Sequence, residues 1–79
     1  MHTLWDIQPG EIAKVTGLAD TCQGFERFRL LDLGVVPGTE ISIALDNPMR
    51  DPLAYSIRGA VIALRKEQAS RILVEIKKD

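Results

Sequence analysis

The sequence predicts a mainly β domain: a small, partly open barrel of five short strands, with one helix after the first strand and one helical turn before the last. Two observations carry that prediction. Residues 30–41, Leu-Leu-Asp-Leu-Gly-Val-Val-Pro-Gly-Thr-Glu-Ile, read as a helix end, a helix stop, a tight turn and a strand start. Apolar residues then alternate through Ile41, Ile43 and Leu45, through Leu53, Tyr55 and Ile57, and through Ala60, Ile62 and Leu64. A period of two is the pattern of half-buried strands.

Each element has its own signal. Leu4-Trp5-Asp6-Ile7 is apolar enough to dock on the domain, and Pro9-Gly10 marks a turn. Glu11–Leu18 is the first strand, with Ala13, Val15 and Gly17 on one face and Ile12, Lys14, Thr16 and Leu18 on the other. Asp20 followed by Gln23 resembles a capping box opening a helix that runs to about Leu33. Phe25, Phe28 and Leu31 form one i, i+3 series and Leu30 and Leu33 another, while Glu26, Arg27 and Asp32 read as solvated. Gly24 weakens the first turn by roughly 1 kcal/mol relative to Ala. Gly34 suits the left-handed position after a helix. Pro37-Gly38 suits a type II turn, Pro fixing φ and Gly supplying φ > 0.

Thr39–Leu45 is the second strand, with Ile41, Ile43 and Leu45 inward. Asp46–Pro52 is a loop rich in Pro, Asn and Asp. Arg58-Gly59 turns a hairpin between the third and fourth strands. Glu67–Arg71 makes one helical turn, and Ile72, Val74 and Ile76 close the chain as the fifth strand. Closing such a sheet hides strand edges that invite aggregation.

Seventy-nine residues make one domain, 1–79. A chain this short buries about 60% of its unfolded surface, enough to fold alone with little reserve. Ten basic and eleven acidic side chains leave a net charge of −1, without the concentrated basic footprint of a nucleic-acid binder. The longest apolar run, Ala60–Leu64, has five residues. A spanning helix needs about 20, so direct membrane insertion is not expected. Cys22 is the single cysteine and cannot form an internal disulfide. With no signal peptide in view, it fits a reducing, cytoplasmic setting.

The run Arg29-Leu30-Leu31-Asp32-Leu33-Gly34-Val35-Val36-Pro37-Gly38 resembles the signature of FeoA, a small accessory protein of bacterial ferrous-iron uptake. Asp51-Pro52-Leu53-Ala54-Tyr55-Ser56-Ile57-Arg58-Gly59 resembles that family's hairpin. Ala63 to Val74 resembles its ending, and Pro9-Gly10-Glu11 its first turn. The likeness runs through nearly the whole chain in the right order. It implies an SH3-like barrel without enzymatic activity, supporting a membrane ferrous-iron transporter that carries a GTPase domain. The same domain ends iron-dependent repressors, so a metal-responsive regulatory domain is the alternative.

With iron implied, metal ligands come first. Ferrous sites favour convergent imidazole and carboxylate ligands. The only imidazole, His2, and the only thiol, Cys22, share no ligand-spaced motif, and Asp46 and Asp51 read as turn formers. No metal site and no cofactor is therefore assigned. Cys22 near a helix start has a dipole that favours thiolate, set against a part-buried small residue. Arg58, at a hairpin tip, and Arg65 suit an arginine finger toward a GTPase, set against plain surface pairing with carboxylates. Leu30, Leu31, Leu33, Val35 and Val36 exceed what one helix face can bury. Most of them wrap the barrel's open end, and surplus apolar surface at Val35, Val36 or Met49 marks a partner contact. The expected partner-binding set is Leu30, Leu33, Val35, Val36, Met49, Arg58 and Arg65. Trp5 is a core lid or an aromatic anchor. Exposed apolar residues also build homo-oligomers. A peptide-binding groove would be thin, with one Tyr and one Trp available.

Overall fold

The computed structural model describes residues 2–78. Strand β1 (His2–Thr3) leads into a 3-10 turn at Leu4–Asp6, followed by β2 (Glu11–Leu18) and helix α1 (Gly24–Asp32). Then come β3 (Glu40–Leu45), β4 (Leu53–Ile57), β5 (Ala60–Leu64), the short helix α2 (Lys66–Ala69) and β6 (Ile72–Lys78). The six strands form one antiparallel sheet in the order β1-β6-β2-β3-β4-β5. The sixth strand, absent from the expectation, is the two-residue β1, which pairs His2 with Val74 and Thr3 with Leu73. Two residues are too few for an alternating pattern to register.

The core is the set of inward positions of the curled sheet, closed by the N-terminal turn and one residue of α1. Ala13, Val15, Ile41, Leu53, Tyr55, Ile57, Leu64, Ile72 and Val74 are buried from the strands, Leu4 and Ile7 from the N-terminal segment, and Leu30 from α1. Trp5 packs against this core as a part-buried lid. Arg50 pins it, donating through Nη2 to the carbonyls of Trp5 and Ile7, both at 3.3 Å, with its guanidinium 5.1 Å from the Trp5 ring centre.

The helix-stop and turn readings are realised bond for bond. Val35 N–H donates to the Leu30 carbonyl and Gly34 N–H to that of Leu31, each at 3.0 Å, with Gly34 at φ 92°. These two bonds make the Schellman motif, whose accompanying apolar contact joins the residues three before and two after the cap. Leu30 and Val35 occupy those positions, and both are fully buried. Thr39 N–H then donates to the Val36 carbonyl at 3.0 Å, closing the Pro37-Gly38 turn with Gly38 at φ 95°.

Other expectations are corrected. The capping box at Asp20 does not form: α1 starts after Gln23, whose Nε2 donates to the Asp20 carbonyl at 3.0 Å. Glu26 is not simply solvated but half-buried, bound to Arg71 at 2.9 Å. Leu45 points outward because the β3–β4 register shifts between Ile43 and Leu45, and the extra residue reverses the side-chain alternation. Ala60 at the hairpin end is exposed, and the second helix is Lys66–Ala69 rather than Glu67–Arg71.

Candidate docking surface

Helix α1 has nine residues, and only Leu30 among them is fully buried. At 100° per residue, Leu33 and Glu26 lie within about 60° of Leu30, and Phe28 about 160° away. Once the helix stop ties Leu30 and Val35 into the core, the other apolar row must face outward. Phe25 is 93% exposed, Phe28 66% and Leu31 37%. Residues spaced i, i+3 are neighbours on a helix, so these three make one apolar ridge. Arg27, Arg29 and Asp32 are exposed on the same helix and supply charge around it. Both phenylalanines of the chain thus stand in solvent, on a domain short of core material. A contiguous exposed apolar patch of this kind marks an interaction surface.

The expected contact residues divide. Leu30 and Val35 cannot touch a partner, because the Schellman contact holds both in the core. Leu33 and Val36 are half-buried, while Met49, Arg58 and Arg65 are exposed. Val36 and Arg58 meet at one open depression of about 530 Å³, shared with Pro37, Gly38, Thr39 and Glu40. It lies immediately after α1 in the chain. Arg65 lines a separate depression with Asp51, Lys66, Glu67 and Ser70. Met49 sits on the β3–β4 loop, so the seven residues form no single patch.

Arg58 is held in place by the helix stop. A Cβ added to Gly34 would fall on the Arg58 side-chain stem at Cδ. The bare glycine is therefore the surface along which that stem lies. Arg58 itself has φ 50° and Gly59 φ 83°, both central residues of the β4–β5 turn being left-handed. Neither Arg58 nor Arg65 joins an ion pair among the described residues, where the pairs are Arg71–Glu26 and Lys77–Glu40.

The remaining chemistry is quiet. Cys22 is fully buried and its thiol pKa is pushed up, by burial first and by the Glu26 charge next. The thiolate-favouring reading of its helix position does not hold. Among the described residues no three His, Cys, Asp or Glu side chains converge into a metal-binding group. No helix among them is long and apolar enough to cross a membrane.

Phe25 and Phe28 are the surface residues that sequence reasoning did not select. The signal was present: both lie on the side of the helix wheel opposite Leu30, the residue the Gly34 stop commits to the core.

The chain is similar to known proteins along nearly its whole length. Residues 2–76 match the family model of the FeoA domain. Over 54 residues, 68% of this chain, it is 39% identical to a fusion of Fe(2+) transport protein A with the Fe(2+) transporter FeoB from Porphyromonas gingivalis. The match takes in 6% of that fusion's length. The iron(II) transport protein A of Clostridium thermocellum superposes with a TM-score of 0.84 at 35% identity, covering 95% of this chain and 45% of that one. FeoA of Stenotrophomonas maltophilia, solved with zinc and described as a procaryotic SH3 domain protein, gives 0.82 at 25% identity, covering 99% and 98%. With a family model matched along almost its entire length, this chain belongs to the FeoA domain family.

Proposed function

We propose that this protein is a non-enzymatic accessory of bacterial ferrous-iron uptake, acting in the cytoplasm by binding the cytosolic part of a GTPase-bearing membrane iron transporter. The observation that carries the reading is the Porphyromonas gingivalis fusion, in which a relative of this domain and the transporter FeoB are one polypeptide. Covalent joining supplies a high effective concentration, which serves partners that must meet. Tethered or not, the two have to meet through an interface, and the Phe25–Phe28–Leu31 ridge is an exposed apolar surface suited to one. Covering a phenylalanine is worth about 1.5–3 kcal/mol, so two of them are enough to anchor a transient complex. Val36 and Arg58, at the depression that follows α1 in the chain, and the charged residues of α1 are further contacts on this reading. Met49 and Arg65 are outlying contacts on this reading.

The test is capture from detergent-solubilised membranes of the native host with tagged protein, with and without guanine nucleotide, read by mass spectrometry. Recovery of a FeoB-like transporter by the wild type, and its loss with Phe25→Ser/Phe28→Ser, is the expected result. Equal recovery by the two proteins contradicts the ridge. Absence of the transporter under both nucleotide conditions contradicts stable docking. Anaerobic titration with ferrous iron addresses the metal-responsive alternative: saturable binding would favour it.

A further inference from the structure

The sheet ends on one side at β5, Ala60-Val61-Ile62-Ala63-Leu64. A short run that is apolar at every position is the pattern of a strand covered on both faces, yet the topology leaves this one at an edge. Outward Val61 and Ala63 are exposed, Val61 by 64%, and Ile62, on the core side, is only half-buried. Natural sheets guard such edges with charge, proline, bulges or brevity. The opposite edge, β1, is two residues long. Strand β5 has no charge and no proline, and it pairs with β4 from Ile57–Ala60 to Leu53–Leu64 without a register shift. A two-residue turn makes Ile57 and Ala60 a hydrogen-bonded pair, and the alternation of an antiparallel ladder then directs Ile62 and Leu64 to β4 as well. The N–H and C=O groups of Val61 and Ala63 therefore point away from the sheet, and no described residue bonds to them.

We propose that β5 pairs antiparallel with β5 of a second copy of this chain, about a two-fold axis at Ile62, joining the two sheets into one. The outward groups fix the register. Only Val61 set opposite the second copy's Ala63, and the reverse, satisfies every free N–H and C=O of both strands. The side chains agree with that register on both faces. On the outer face a large Val lies opposite a small Ala, and Ala63 already lies in the cross-strand row Leu45–Ala54–Ala63, whose Leu45 is 66% exposed. On the core side Ile62 meets Ile62 of the second copy, in the closer, non-hydrogen-bonded kind of pair, and covers the part of it left open. Charge favours no foreign strand. Arg58 shares its depression with Glu40, and Arg65 and Lys66 share theirs with Asp51 and Glu67, so both ends of β5 carry both signs. The register brings Arg58 level with Lys66 of the second copy, but each is held on its own molecule. The Arg58 stem lies on Gly34, and Lys66 Nζ is 5.8 Å from the Trp5 ring centre. The edge selects by length, apolarity and shape, and the strand on the page that meets all three is β5 itself. The contact is isologous and small, so the dimer is weak and concentration-dependent. None of this depends on the transporter reading.

Sedimentation velocity and amide hydrogen exchange on the intact protein, from about 10 μM to about 1 mM, test the pairing. A shift from monomer to dimer is expected, with the Val61 and Ala63 amides slowing by about tenfold across the series and the Ile62 amide unchanged. Phe25→Ser/Phe28→Ser is expected to dimerise as the wild type does, since the helix ridge takes no part. Cross-linking tests the register. Ile62→Cys faces its own copy at a Cα separation of about 4.5 Å, within disulfide reach, whereas Val61→Cys faces Ala63. Cys22 is fully buried and does not compete. Under air oxidation Ile62→Cys is expected to form a linked dimer at least about tenfold faster than Val61→Cys. A protein that stays monomeric at the highest concentration, with both outward amides unslowed, would overturn the proposal. So would a dimer that leaves those amides unslowed or is lost in Phe25→Ser/Phe28→Ser, which places the contact elsewhere. Equal cross-linking of the two cysteine variants overturns the register. Slowing that requires an added neutral Val-Thr-Val-Thr-Val peptide, with none from the protein alone, gives the edge to a foreign strand and overturns the proposal as well.

Discussion

At the scale of single residues, Gly34 and Arg58 act as a pair. Gly34 carries φ 92° to end the helix, and its missing side chain leaves the place where the Arg58 stem lies. Gly34→Ala therefore costs about 1–2 kcal/mol from the left-handed backbone and also displaces Arg58. Arg58→Gly gives back the strain of its own φ of 50° and removes the clash. Thermal melts of the two single variants and the double variant are expected to show the Gly34→Ala loss shrinking in the Arg58→Gly background. Tyr55 is a second such point. It is fully buried, its hydroxyl has no partner among the described residues, and burial pushes its pKa up to about 12, against a lowering by Arg50. Below pH 10 the phenol is neutral folded and unfolded, and that contribution to stability is complete. Between pH 10 and 12 the unfolded chain ionises first, so up to about 3 kcal/mol is lost. Tyr55→Phe is expected to hold or raise stability at pH 7, since an unpartnered buried hydroxyl is a cost, and to abolish that alkaline loss. Denaturant melts at pH 7 and 11 check both.

At the scale of elements, α1 separates into a structural side and an outward side. Leu30→Ala is expected to destabilise by about 2–5 kcal/mol through a core cavity. Phe25→Ser/Phe28→Ser is expected to stay within about 1 kcal/mol of wild type, because neither side chain is packed. Urea unfolding measures both. The sequence displayed this element's end far better than its beginning. Gly34 and Pro37-Gly38 are residues whose backbone requirements are local, and the bonds they predict are the ones found. The start depended on a competition between the Asp20 and Gln23 side chains that composition does not decide. Leu45 was misread for another reason: the β3–β4 bulge adds a residue without any glycine or proline to announce it. On the surface, Val36, Met49, Arg58 and Arg65 were legible as accessible positions. Leu30 and Val35 were misplaced because their burial comes from the geometry of the cap rather than from hydrophobicity.

At the scale of the molecule, a 79-residue SH3-like sheet has to bury most of what it owns, and this one still leaves two phenylalanines uncovered. On the proposed reading, the cytosolic part of a FeoB-like transporter covers them. A binding isotherm between the purified protein and the purified cytosolic portion of the host's FeoB-like transporter decides whether the ridge docks. Wild type runs beside Phe25→Ser/Phe28→Ser, with matched thermal melts. Saturable binding by the wild type is expected, with about a hundredfold weakening in the double variant at unchanged stability, some 3 kcal/mol for two lost anchors. Wild-type affinity retained by the double variant would contradict it.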